Sequence, residues 1–164
     1  MLMCQEVVVA APEATMLIVD LSWDQRKRSR FKSETRCGQP MGWMIERGKV
    51  LSDGDCLLAE NGQLILVKAA LEDVSVVLTD NPWLLAKAAY HLGNRHMPLQ
   101  LGEGWLRYQH DYVLDNMVRG FALEVERQQR PFHPENGAYG NHGGHSHGHD
   151  DSHDHGQQSH HHEH

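Results

Sequence analysis

The chain has 164 residues, a 40% hydrophobic share with four tryptophans, and a formal charge of −7. These values suit one compact domain or two small ones with a tail. Asp150, Asp151, Asp154 and Glu163 lie in the last 23 residues with no Lys or Arg among them, so the rest carries about −3 and calls for neither nucleic acid nor membrane as partner.

Residues 1–15 hold only a short apolar run, with Glu6 and Glu13 and no cation before it, which makes a poor signal peptide. No apolar stretch approaches the roughly 20 residues that span a bilayer. Cys4, Cys37 and Cys56 are odd in number and form no CxxC, so they read as small apolar groups in a reducing compartment. A cytoplasmic protein is expected.

From Met16 the sequence reads as short strands: residues 16–21, 26–33, 42–47, 56–60 and 63–69. Asn61-Gly62 between the last two is a strong hairpin signal, because both residues tolerate positive φ. Ser52-Asp53-Gly54-Asp55 marks another turn. A small all-β domain over residues 16–73 is expected. Its segment Arg26-Lys27-Arg28-Ser29-Arg30-Phe31-Lys32 is read as a solvated strand face or a surface that docks an acidic partner protein, since one aromatic in a net acidic protein makes a poor nucleic-acid patch.

The pattern changes at Val74. Residues 74–78 read as a strand, and Thr79-Asp80-Asn81-Pro82 is a helix-start signal with a first-turn proline. Leu84, Leu85, Ala88, Ala89 and Leu92 follow at helical spacing, and Gly93 stops the helix. Residues 98–101 and 105–108 are brief strands around Gly102-Glu103-Gly104. Asp111 caps a second helix with Val113, Leu114, Met117, Val118 and Phe121 on its apolar side, and residues 122–127 form a last strand. The order β-α-β-β-α-β over residues 74–131 is that of a ferredoxin-like domain, so the fold class is α+β. Residues 132–164 are too polar to offset their ordering entropy and are expected to lack fixed structure until something binds them.

No GxGxxG, P-loop or HExxH occurs, and the chain does not read as an enzyme. Histidine is the informative residue. Ten of the 14 lie in the tail: His142, His145, His147, His149, His153, His155, His160, His161, His162 and His164. Purification tags are usually homopolymeric. This tract mixes imidazoles with Gly, Asp, Ser and Gln at unequal spacing and reads as a native tail that binds divalent metal. With ordinary imidazole pKa values it should lose metal below about pH 6.

Outside the tail, His91 fits a helix-terminal packing role favoured by the dipole. His96 lies in a short loop after the first helix, where a two-fold axis could bring two imidazoles to one ion. His110 precedes the second helix. These two are expected at opposite ends of one strand hairpin, which does not put them in one shell. Imidazole donors without thiolate suit Ni(II), Cu(II) and Zn(II).

At AYHLGNRHMPLQ (residues 89–100) and LRYQHDYVLDNMVRGFAL (residues 106–123) the sequence resembles the UreE family, urease accessory proteins that act as nickel metallochaperones. QRKRSR is similar to the family's first-domain motif. The resemblance runs from about Met16, so residues 1–15 are expected to be either an unstructured extension or the result of a start assigned at Met1 rather than Met16. It implies a peptide-binding-like β domain, a ferredoxin-like metal domain and a homodimer formed through the latter, with His96 of both chains on an interfacial nickel. It also implies an accessory GTPase and apo-urease as partners. His110 matches a histidine that serves a peripheral site in some members; Tyr112 departs from the family, several members having a second histidine there.

The expected function is nickel delivery: the tail captures Ni(II), with Zn(II) or Cu(II) as further ions, and passes it to paired His96. The alternatives are a storage or detoxification protein for Ni, Zn or Cu, and a scaffold whose metal only regulates assembly.

Overall fold

A computed structural model describes residues 1–136. The ten tail histidines, from His142 to His164, lie outside the described residues. The chain forms β1 (Leu2–Val8), β2 (Met16–Leu21), α1 (Trp23–Arg26), β3 (Arg30–Glu34), β4 (Pro40–Met44), β5 (Cys56–Ala59), β6 (Leu64–Ala69), β7 (Leu71–Leu78), α2 (Pro82–Gly93), β8 (Gln100–Gly102), β9 (Trp105–Gln109), α3 (Tyr112–Arg119) and β10 (Glu126–Pro131). The architecture is α+β. A six-stranded sheet in the order β2-β6-β5-β1-β4-β3 precedes a four-stranded one in the order β10-β7-β9-β8.

The first sheet overturns the expectation that residues 1–15 lie outside the fold. Strand β1 is interior: it runs parallel to β4, with Cys4 opposite Trp43, and antiparallel to β5, with Val7 opposite Leu57. Leu2 and Cys4 alternate inward and join Val19, Leu21, Met41, Trp43, Leu51, Leu57, Ile65 and Val67 in one core. Burial of that alternating pair fixes the strand's register. The sheet curls until the Arg36 amide just beyond β3 donates to the Ile18 carbonyl of β2 at 2.8 Å, with Arg36 and Asp20 paired outside it.

The basic segment is not one strand. Ser22 and Gln25 form a capping box that starts α1, and the turn ends at Arg26. Arg26 is only 2% exposed, so it is no solvated cation. Residues 30–34 alone make the edge strand.

The second sheet is antiparallel throughout, and its order with α2 and α3 between strands is ferredoxin-like. Its first strand starts at Leu71, so the expected division after residue 73 falls inside β7. Val77, Leu106 and Tyr108 on the sheet meet Ala88, Leu92, Leu114 and Val118 on the helices. The last strand begins four residues later than expected. The chain leaves α3 through Ala122 at φ 61°, whose amide bonds to Arg119, before it can extend. Because β10 is an edge strand it accommodates Pro131 at its end.

The residues after β10 do not leave the fold at once, contrary to a tail that begins at 132. Phe132 is fully buried with Trp23 of the first unit and Val74 of the second. The Arg26 guanidinium donates to the Phe132 carbonyl and, at 3.3 Å, to the Leu51 carbonyl. Arg107 donates to the Pro131 carbonyl, and the His133 amide to Gln100 Oε1. The Glu135 amide donates to the Leu99 carbonyl at 2.7 Å. Residues 131–135 are therefore a strap that ties both units together and ends beside β8. No helix among the described residues is long and apolar enough to cross a membrane.

Candidate metal centre

His96 is positioned by the way α2 ends. Asn81 Oδ1 accepts from the Trp83 and Leu84 amides and starts the helix with Pro82 in its first turn. At the other end the His96 amide donates to Gly93 at 2.9 Å and the Met97 amide to Leu92 at 3.3 Å. These are the paired bonds of a Schellman ending, and Met97 packs against the core cluster that includes buried Leu92. The motif needs a left-handed residue just past the helix, and His96 fills it at φ 57°. Glycine is the usual occupant; a side chain there costs about 1 kcal/mol. His96 is exposed, so burial of its ring does little to offset that cost. Local strain of this kind is a pointer to function.

His110 is held differently. Asp111 caps α3 by accepting from the Val113 and Leu114 amides. The His110 side chain, 21% exposed, points its Nδ1 at Asp115 Oδ2 and Ser75 Oγ, each at 3.2 Å. Asp115 is 3% exposed and Ser75 fully buried. Asp115 Oδ1 accepts from Ser75 Oγ at 2.6 Å and from the Tyr108 hydroxyl at 2.7 Å. Burial, reinforced by the Asp115 carboxylate, pushes the Tyr108 hydroxyl well above the ordinary phenol range, so it remains a donor.

The expectation that His96 and His110 lie at opposite ends of a hairpin is corrected by the register. Gln100 pairs with Arg107 and Leu101 with Leu106, so β8 begins where β9 ends. Both histidines flank the open end of the β8–β9 hairpin. Even so, among the described residues no three of His, Cys, Asp and Glu gather as a metal-holding group. His91 packs instead, its ring 4.8 Å from Phe121 and 5.2 Å from Tyr90. Ser75, Tyr108 and Asp115 escaped the sequence reading; the available signal was an acid three residues from Val118 on the inner side of α3.

Comparison with known families decides what kind of protein carries this site. The C-terminal domain of the UreE urease accessory protein matches residues 72–164, and its N-terminal domain matches residues 5–70. The chain belongs to the UreE family. Its match reaches back past Met16 into β1, in keeping with that strand's interior place. Over 127 residues, 77% of this chain and 82% of the relative, it is 55% identical to the urease accessory protein UreE of Teredinibacter turnerae. It is 49% identical to that of Escherichia coli O157:H7 over 148 residues, 90% and 96% of the two chains. The UreE of Proteus mirabilis is 47% identical over 132 residues, 80% and 82%. UreE proteins are accessory proteins of urease and not enzymes, and this chain is one of them.

Proposed function

We propose that the protein is a nickel metallochaperone that collects Ni(II) on its histidine-rich tail and hands it, through His96, to urease under assembly. Family membership supplies the urease context; an accessory GTPase and apo-urease as partners, and the cytoplasm as the compartment, belong to the proposal. His96 carries the argument within the chain. An exposed imidazole at a strained cap, with no group of three donors among the described residues around it, is suited to an ion shared with another group and released readily. Zn(II) and Cu(II) would bind the same donors, because imidazole affinity rises along the Irving–Williams series to copper.

Two further observations support the arrangement. The strap fastens Glu135 to Leu99, so the tail departs three residues in sequence from His96. About 15 residues of Gly-rich coil span about 20 Å, and a donor tethered at that range has an effective concentration near millimolar. Transfer need not pass through bulk solvent. On α2, Trp83 and Tyr90 share one stripe and are 76% and 65% exposed. That apolar stripe, running toward His96, suits a homodimer formed through the ferredoxin-like unit, with both His96 rings on one ion.

Metal titration of the intact chain, the chain ended after Tyr139 and His96→Ala tests the reading. The shortened chain should keep about one tight ion per pair of chains, and His96→Ala should lose it. Loss of all tight binding on shortening would favour storage in the tail instead. Unchanged delivery to apo-urease by both variants would favour a scaffold.

A further inference from the structure

We infer that Asp115 is a positioning residue: it holds the imidazole hydrogen of His110 on Nδ1, so that Nε2 presents its lone pair to a divalent ion. The inference rests on the proposed metal reading of this protein for its purpose, though not for its geometry.

The hydrogen bookkeeping leaves one arrangement. Ser75 has a single hydroxyl hydrogen, and the 2.6 Å contact to Asp115 Oδ1 takes it. Tyr108 donates to the same oxygen at 2.7 Å, which fills its lone pairs. Toward His110 Nδ1, Ser75 Oγ and Asp115 Oδ2 can then offer only lone pairs, each at 3.2 Å. Nδ1 therefore carries the hydrogen, and in the neutral ring Nε2 does not. Burial of Ser75 and Asp115 keeps water from supplying a substitute partner. Three elements fix the group: Ser75 comes from β7, Tyr108 from β9 and Asp115 from α3. A carboxylate behind a histidine, itself held by hydroxyls, is the arrangement that fixes ring orientation and raises donor strength at metal sites.

Asp115→Asn gives the discriminating change, because it is isosteric and reverses the hydrogen pattern. The amide oxygen would keep Ser75 and Tyr108, and the amide NH2 would face Nδ1. Nδ1 must then accept, the hydrogen moves to Nε2, and the metal-facing lone pair is lost.

Long-range proton–nitrogen NMR of the full, metal-free chain at about pH 8, where an unperturbed imidazole is neutral, reads this directly. His110→Ala identifies the His110 signals among the 14 histidines. Wild type should show a protonated Nδ1 and a pyridine-type Nε2 at His110, and Asp115→Asn the reverse. A wild-type ring protonated on Nε2, or a folded Asp115→Asn protein with an unchanged ring, would overturn the inference. The wild-type spectrum requires no variant, so a misfolded Asp115→Asn leaves that test intact. Zn(II) added to the same samples tests the underlying reading separately. The His110 Nε2 signal should shift on binding, with the half-point raised about 10–100-fold in Asp115→Asn. The tail competes equally in both. Nδ1 protonated in wild type with no Zn(II) response would sink the ligand role of His110 while the hydrogen assignment survives.

Discussion

An L-residue in the left-handed region gives up about 1 kcal/mol, and His96 does so at a position where it is exposed. The Schellman bonds from His96 and Met97 explain the backbone but not the imidazole; glycine would serve the helix better. His96→Gly should therefore leave the metal-free protein as stable as wild type or more stable by up to about 1 kcal/mol, while His96→Ala shows no such gain. Urea denaturation in the presence of a chelator measures it. Both variants should lose the ion assigned to this position. Equal destabilisation by the two would mean that the imidazole supports the fold and that its strain is no sign of function.

At the scale of elements, α2 was legible because its signals are local: Asn81-Pro82 at the start and apolar residues at helical spacing. Strand β1 was not, since its partners Trp43 and Leu57 come from distant strands and nothing in residues 2–8 alone names them. The capping box Ser22–Gln25 was present to be read, but the run of cations around it suggested a solvated strand. Half of the candidate site followed the same rule. His96 and His110 stood out as residues, whereas the contact of His110 with Ser75 crosses 35 positions and exists only after the sheet forms. The strap, too, is non-local. Phe132→Ala should destabilise by about 3 kcal/mol through the cavity it leaves between the two sheets, and should speed hydrogen exchange of the Glu135 amide. Slow exchange in a destabilised variant would show that the Leu99 contact holds without the strap. The strap should also respond to acid. Partial burial, then the Arg26 guanidinium, holds His133 below the ordinary histidine value, with Arg107 adding to this and Asp53 and Glu72 opposing. Its contribution is complete above about pH 6.5 and is lost as pH falls through the lower folded value. Between about pH 8 and 5 the metal-free protein should lose stability, and His133→Gln should lose less of it.

For the whole molecule the decisive question is whether one chain can hold the transferred ion. Among the described residues no three donor side chains gather, and the exposed His96 lies just past the end of α2. One imidazole gives weak, unselective binding; two across a dimer axis give a site that opens when the partner or the tail competes. The stripe of Trp83 and Tyr90 leads to that end of the helix, and the two rings are 76% and 65% exposed. Trp83→Glu combined with Tyr90→Glu puts charge on this stripe without touching the core, so the fold should change by no more than about 0.5 kcal/mol per site. The proposed dimer should dissociate, as sedimentation would read. Equilibrium dialysis should then show loss of the ion at His96 and retention of those on the tail. A variant that remains dimeric would place the axis elsewhere. A monomer that keeps the tight ion would show that the tail, and not a second chain, completes the His96 site.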